Sequence, residues 1–229
     1  MSTTGESAER AYREGTDYQF DQGELQLGPW TSYSLVHDPK HMAFVLARYK
    51  FCAKMLDGKK QVLEVGSGDG FGLPIVAQHV GHVYCLDWDT RLLEGNARRL
   101  RHVKNVSYVH IDLNRQSPDI QADAAYSIDV IEHLEPEKEA RFIENVVRCL
   151  TPDGVMITGT VNVTASPYAS PRSQVQHINL KSSQSLRALM ERHFENVFMF
   201  GMNDEVIHTG YAPMCHYIWS VAAGKKERA

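Results

Sequence analysis

Nothing in this 229-residue chain is apolar for long enough to cross a bilayer. The stretch Gly70 to Leu86 carries no Asp, Glu, Lys or Arg, but Pro74, Gln78, His79, Gly81 and His82 interrupt it. The opening MSTTGESAER has no basic region followed by an apolar core, so no secretory leader is expected. Cysteine is sparse: Cys52, Cys85, Cys149 and Cys215 lie far apart with no CxxC pair, which excludes a disulfide scaffold. Three of them sit in apolar segments, where a thiol behaves as a small hydrophobe, and a reduced, cytoplasmic protein is the expectation. Basic charge is not in excess either. Lys and Arg number 24 against 28 Asp and Glu, a formal charge of −4, so no global field favours nucleic acid and no nucleic-acid partner is expected. The locally basic stretch from Arg91 to Lys104 reads as a solvated helix face. Repeats and low-complexity tracts are absent. What remains is 43% hydrophobic and 23% charged, an ordinary globular composition for one α/β domain.

Residues 1 to about 24 are polar and show no helical or strand period, so a mobile lead-in is expected. Leu25 to Tyr33 mixes aromatics with Gly28 and Pro29 and reads as a packed loop. Asp38 followed by Pro39 reads as a helix start, with the helix running to about Leu56. From Gln61 onward short apolar runs alternate with helical patterns. Strands are expected at Gln61–Val65, His82–Leu86, Val106–Ile111, Ala124–Ile128, Val155–Thr160, Val197–Met202 and His216–Ala222. Helices are expected at Phe71–His79, Thr90–Arg101 (capped by Thr90), Pro136–Leu150 and Ser183–His193. Such alternation implies a parallel sheet with helices on both faces, and the last two strands, joined without a helix, imply one antiparallel strand.

Val62-Leu63-Glu64-Val65-Gly66-Ser67-Gly68-Asp69-Gly70-Phe71-Gly72 is the most informative segment: a buried strand that ends in alternating glycines and opens into a helix. Glycines permit positive φ and let main chain approach a ligand closely. In an open parallel sheet, that loop lies beyond the carboxyl ends of the strands, where ligands bind. Dinucleotides and S-adenosylmethionine both use such a place. A dinucleotide calls for G-x-G-x-x-G, yet the third position counted from Gly66 is Phe71. Glu64 and Asp69 also put negative charge where a pyrophosphate would sit, which suits a sulfonium cation better. Asp87 closes the second strand 17 residues after Gly70 and can accept ribose hydroxyls; Asp112 closes the third and can receive an adenine amino group.

With these motifs in hand, the sequence resembles the class I S-adenosylmethionine-dependent methyltransferases, from about Gln61 to Leu150 with a looser echo to Ala222. Glu64-x-Gly66-x-Gly68-x-Gly70 resembles the first motif of that family, Asp87 its ribose acid and Asp112 its adenine-side acid. Ala125 to Leu134 is similar to the fourth motif of the ubiquinone-biosynthesis-like branch, and Leu150-Thr151-Pro152-Asp153-Gly154 to the turn before the fifth strand. The resemblance implies a Rossmann-like α/β fold: seven strands, mostly parallel with one antiparallel, in the order 3-2-1-4-5-7-6. It implies S-adenosyl-L-methionine as cofactor, held by Glu64, Gly66, Ser67, Gly68, Gly70, Asp87, Trp88, Asp112, Leu113 and Asp129. Residues 1–37 are then an N-terminal extension or lid and 38–229 the methyltransferase domain.

Methyl transfer from a sulfonium requires acceptor and methyl carbon to be held in line, and an oxygen or nitrogen acceptor also gives up a proton. Among eleven histidines, His177 in the loop after the fifth strand and His133 after the fourth are the catalytic candidates, with His208 a third. Polar Asn162, Ser166, Tyr168, Ser170 and Arg172 in the same loop suit a hydroxylated small-molecule acceptor such as a sugar, glycoconjugate or secondary metabolite. A monomer or homodimer is expected. No metal site is expected: in His79-x-x-His82-x-x-Cys85, Gly81 breaks the helix, and His82 and Cys85 fall on opposite strand faces. An NAD(P)-dependent oxidoreductase, a nucleic-acid methyltransferase and a non-catalytic cofactor-binding subunit are the alternatives. Phe71 weighs against the first, and the acidic balance and lack of an Asn-Pro-Pro-aromatic tetrapeptide against the second. Intact Glu64, Gly66, Gly68 and Asp87 weigh against the third.

Overall fold

Four consecutive residues of β1 (Gln61–Val65), Val62 to Val65, are all buried, which happens only to a strand covered on both faces in mid-sheet. The computed structural model describes residues 3–21 and 23–227; the first two residues and Gln22 of the expected lead-in lie outside that range. Around β1 stand β2 (His82–Asp87), β3 (Val106–His110), β4 (Ala122–Ile128) and β5 (Leu150–Val161), all parallel. β6 (Phe194–Asn203), β7 (Val206–His208) and β8 (Tyr217–Lys225) complete one sheet in the order β3-β2-β1-β4-β5-β8-β6-β7. β8 runs antiparallel to β5 and β6, with Gly159 opposite Trp219.

The strand count is therefore eight rather than seven. β6 turns back through Asp204, at φ 51°, into β7, so the sheet carries two antiparallel strands instead of one. Three residues after a polar Asn203-Asp204-Glu205 turn are too few to show an alternating pattern. β5 also begins earlier than expected. Its first pair is Ala122 with Leu150 and its next Ala124 with Val155, so the Thr151–Gly154 turn is an irregularity inside the strand.

One face of the sheet is covered by α6 (Pro136–Arg148) and α8 (Ser183–Glu191), whose Phe142, Ile143, Val146, Leu186, Leu189 and Met190 pack against Leu63, Val65 and Met156. The other is covered by α3 (His41–Met55) and α4 (Leu73–Ala77), through Tyr49, Cys52, Leu73 and Val76 on Val62, Val83 and Tyr126. All four cysteines are buried and unpaired. α5 (Thr90–Arg99) lies against β2 and β3 and is capped by the Asp89 side chain, which accepts from Arg91 N–H, rather than by Thr90.

The N-terminal region departs most from expectation. Residues read as a mobile lead-in form α1 (Thr3–Asp21), supported by the i,i+4 pairs Arg10–Glu14 and Arg13–Glu9 at 2.7 Å. Leu25–Tyr33, read as a loop, instead supplies the start of α2 (Pro29–His37), with Pro29 at its first position. Asp38 ends α2, and α3 starts only at His41, because Pro39 and Lys40 make the turn between the two. No described helix is long and apolar enough to cross a membrane.

Candidate active site

The glycine loop leaves the carboxyl end of β1 with Gly66, Gly68 and Gly70 at φ 75°, 52° and 69°. Its bend is pinned from both sides. Gly66 and Ser67 N–H groups donate to Leu86 O at 2.9 and 3.2 Å, and Gly68 N–H donates to Asp87 Oδ2 at 3.1 Å. The other Asp87 oxygen accepts from Asp89 N–H at 2.9 Å. The acid that ends β2 thus holds the loop and its own turn at once. Burial pushes its pKa up, and these backbone donors pull it back. Asn96 of α5 closes the far side, donating to Gly68 O at 2.8 Å, while Arg99 donates to Asn96 Oδ1 and Asp69 O. Arg99 is a loop brace, not part of a solvated basic face.

Asp69 does something the sequence does not announce. Its carboxylate accepts from Thr31 N–H at 2.7 Å and from Thr31 Oγ1 at 3.0 Å. It supplies, from 38 residues away, the N-terminal cap that Gly28 cannot give α2. Glycine is required at 28 for that reason: a Cβ there would sit 2.4 Å from Asp69 Cβ. Gly68 is constrained likewise, because a Cβ on its positive-φ backbone would meet the Trp30 ring at 2.7 Å. α2 is therefore seated directly on the glycine loop.

The other expected cofactor residues fall into two groups. Trp88 follows Asp87 and is 69% exposed, an aromatic face beside that carboxylate. Ser67 is buried, and its Oγ has no hydrogen-bond partner among the described residues. Asp112 accepts from Asn114 N–H at 2.9 Å and pairs with Arg115 at 3.1 Å. Glu64 and Leu113, by contrast, turn into the interior. Leu113 packs in the core and its carbonyl accepts from Asn145. Glu64 lies under the loop, accepting from the Cys85 thiol at 3.1 Å. Burial raises it to about 7, with Cys85, Tyr126 and Tyr49 partly offsetting the rise.

At the end of β4 the chain makes a second tight exit. Asp129 has φ 56°, a conformation Asp tolerates better than most side chains, and its Oδ2 accepts from Arg48 Nη1 at 2.6 Å. Arg48 reaches this point from α3, buried, with its guanidinium 3.9 Å from the Tyr217 ring centre on β8. Two residues on, a short helical turn carries Glu132 and His133. Glu132 is fully buried, and its Oε2 accepts from Thr160 Oγ1 at 2.9 Å. Burial and the nearby Asp129 charge push Glu132 up to about 8.

The return loop after β5 brings His177 to the same place. Residues 162–181 fold back through α7 (Pro171–Gln176), and Asn179 N–H donates to Glu132 O at 3.0 Å. Asn179 Nδ2 donates to Glu139, which Lys181 also pairs with. His133 and His177 meet edge to face with ring centres 5.0 Å apart, and His133 Nδ1 donates to Gln176 O at 3.1 Å. Burial, then the neighbouring His133, lowers the His177 pKa. Of the loop's polar residues, Asn162 is spent on Ala212 O and Cys215 O, and Ser170 caps α7. Arg172 reaches across to the Tyr33 ring of α2, 5.4 Å away. His208 stays apart, accepting from Gly210 N–H in its own turn. His79, His82 and Cys85 take separate partners, Asp57, Ser107 and Glu64.

Sequence reasoning missed Arg48, Thr31, Trp30, Asn96 and Glu132. Glu132 alone had a local signal, its position beside His133 directly after a strand-ending acid.

Of the acids expected to face a ligand, Glu64 is instead buried beneath the loop and Asp69 is spent on Thr31. Asp87, the exposed Trp88 indole and the orphaned Ser67 hydroxyl remain beside it, a set that fits a nucleoside without offering a cation to a pyrophosphate. Comparison with known proteins agrees. Residues 63–158 match the family model described as a methyltransferase domain. A probable S-adenosylmethionine-dependent methyltransferase of Mycolicibacterium smegmatis is 29% identical over 139 residues, 58% of this chain and 50% of that protein. A ubiquinone biosynthesis O-methyltransferase of Rickettsia akari is 26% identical over 142 residues, 60% of this chain and 55% of that one. The chain therefore spans about half the length of the curated relatives it matches. In fold it is similar to N-methyltransferase NodS from Bradyrhizobium japonicum, solved with S-adenosyl-L-homocysteine. The TM-score is 0.61 at 15% identity, over 85% of this chain and 92% of that one. The matched stretch, residues 63–158, is thus a methyltransferase domain similar to those of S-adenosylmethionine-dependent methyltransferases.

Proposed function

We propose that this protein transfers the methyl group of S-adenosylmethionine to a hydroxyl of a small-molecule acceptor, a sugar, glycoconjugate or secondary metabolite. The observation that carries the reading is the glycine loop tied to the Asp87 carboxylate, with no phosphate-binding cation offered by its sequence. Bound there, S-adenosylmethionine supplies an electrophilic methyl carbon on a sulfur that is already a good leaving group. Gly66, Ser67, Gly68 and Gly70 line the close approach of main chain, with the Ser67 hydroxyl free to donate. Asp87 would accept ribose hydroxyls with its remaining lone pairs, the exposed Trp88 ring would offer the base an aromatic face, and Asp112 with Leu113 would bound the adenine side. Glu64 supports the loop from beneath, and Asp129 marks the boundary between the cofactor and the acceptor.

Residues 1–37 act as the lid. The Asp69–Thr31 cap and the Trp30–Gly68 contact support that role, because they couple α2 to the loop itself. Excluding water and holding the acceptor in line is the principal work left to such a protein. On the acceptor side, His177 and His133 engage the hydroxyl. The lowered pKa of His177 leaves its imidazole neutral near pH 7, with a lone pair to offer.

Calorimetric titration with S-adenosylmethionine, S-adenosylhomocysteine and NAD tests the cofactor. Binding of the first two without the third is expected, whereas retention of NAD alone at millimolar levels overturns the reading. An untargeted screen for products carrying label from the methyl donor then identifies the acceptor.

A further inference from the structure

We propose that Glu132, His133 and His177 form a binding site for one divalent transition-metal ion. Their donor atoms all lie within 4.8 Å of one another. Folding alone brings them together: two come from the turn after β4, and the third from the loop that Asn179 pins back onto that turn. No metal is expected from the sequence, whose candidate spacing His79-x-x-His82-x-x-Cys85 is broken by Gly81 and by strand alternation and lies elsewhere in the chain.

Three features set this cluster apart from a chance meeting of side chains. Glu132 is 0% exposed, yet its Oε1 has no hydrogen-bond partner among the described residues, while Thr160 holds Oε2. A buried carboxylate oxygen left unpaired is costly, and a cation satisfies it. Next, the Nδ1 of His133 donates its proton to Gln176 O, which leaves Nε2 with a lone pair. That is the arrangement by which a ligating imidazole is held in one tautomer, and here the holding carbonyl belongs to the residue before His177. Finally, the two rings stand edge to face at 5.0 Å with no hydrogen bond between them, so neither has spent its free nitrogen on the other.

Metal–ligand bonds of about 2.0–2.2 Å put neighbouring donors roughly 3–4 Å apart. The cluster therefore closes by about 1 Å on binding, within reach of side-chain rotation at exposed His133 and half-buried His177. Two imidazoles with one carboxylate suit ions such as Zn²⁺, Fe²⁺, Co²⁺ or Mn²⁺ better than Ca²⁺. With an ion bound, His133 and His177 act on the acceptor through it rather than as free bases: three protein donors leave coordination positions open for an acceptor presenting oxygen atoms, and this last point alone rests on the methyl-transfer reading.

The test titrates metal-free full-length protein with Co²⁺, followed by its visible absorption, and repeats the measurement with Mn²⁺ by calorimetry. One ion per chain is expected, with a spectrum showing nitrogen ligation. His133→Ala and His177→Ala each weaken binding by about tenfold or more while circular dichroism stays unchanged. Glu132→Gln does the same, and the two histidine variants decide the matter if that buried change unfolds the chain. Failure of the wild-type protein to take up either ion at millimolar concentration overturns the proposal, as does equal uptake by both histidine variants. S-adenosylmethionine titrated into the same samples separates the two readings. Co²⁺ uptake without nucleoside binding leaves the metal site standing and removes the methyltransferase reading; nucleoside binding without Co²⁺ uptake removes the metal site alone.

Discussion

The proposed cofactor side and the proposed acceptor side of the site are built in opposite ways. The first is mostly local: β1, the glycine loop and the end of β2 lie within 27 residues, from Gln61 to Asp87. The loop is pinned by Gly66 and Ser67 N–H on Leu86 O and Gly68 N–H on the Asp87 carboxylate, with Asn96, Arg99 and Thr31 bracing it from farther along the chain. The second is assembled from afar. Arg48, Asp129, Glu132, His133, His177 and Tyr217 come from α3, the β4 exit, the return loop and β8. A site made of neighbouring residues can be stated in a short motif. A site made of distant ones depends on the packing of the whole sheet, and its chemistry can vary while the nucleoside pocket stays the same.

The most severe way to break this division is Asp87→Ala. It removes a charged acceptor from two ribose hydroxyls and releases Gly68 N–H. At about 1.5 kcal/mol or more for each hydrogen bond to a charged group, S-adenosylmethionine affinity falls about 100-fold. Calorimetry checks this, and the geometry of the acceptor half predicts that Co²⁺ uptake by the same variant is unaltered.

Arg48→Met attacks the other half. It leaves Asp129, at positive φ, without the cation that holds it, and takes about 2–3 kcal/mol from stability. Chemical denaturation measures the loss. The double variant Arg48→Met/Asp129→Asn should recover most of it, because no uncompensated charge remains.

A third measurement sharpens the contrast through pH. Glu64 ionises near 4.5 in an unfolded chain but is raised by burial to about 7 in the folded one. Between those values the folded state binds more protons, so stability falls as pH rises through that window. Melting temperatures from pH 5 to 8 should therefore decline more steeply for the wild type than for Glu64→Gln. The smallest effect is expected from removing residues 1–21. The described side chains of α1 are nearly all exposed and its ion pairs are surface pairs, so the melting temperature should move by about 2 °C or less.

Much of the fold was legible because hydrophobic period reports directly on burial. Gln61–Val65 read as a buried strand and Pro136–Leu150 as a helix; the structure agrees except that α6 stops at Arg148 and Leu150 already belongs to β5. The errors have equally physical causes. β7 is three residues long and has no room for a pattern. α1 is polar all round, so its helicity comes from side-chain pairs rather than from an apolar stripe. α2 lacks a capping side chain of its own and borrows one from Asp69.

The amino-acid order alone determined where the main chain bends after β1 and which acid stands beside that bend. Both are short-range matters of glycine at positive φ and a carboxylate at a strand end. Folding decided the rest. It carried Thr31 to Asp69, Arg48 to Asp129 and His177 to Glu132, because those groups meet only when helices and loops from remote parts of the chain close over one edge of the sheet.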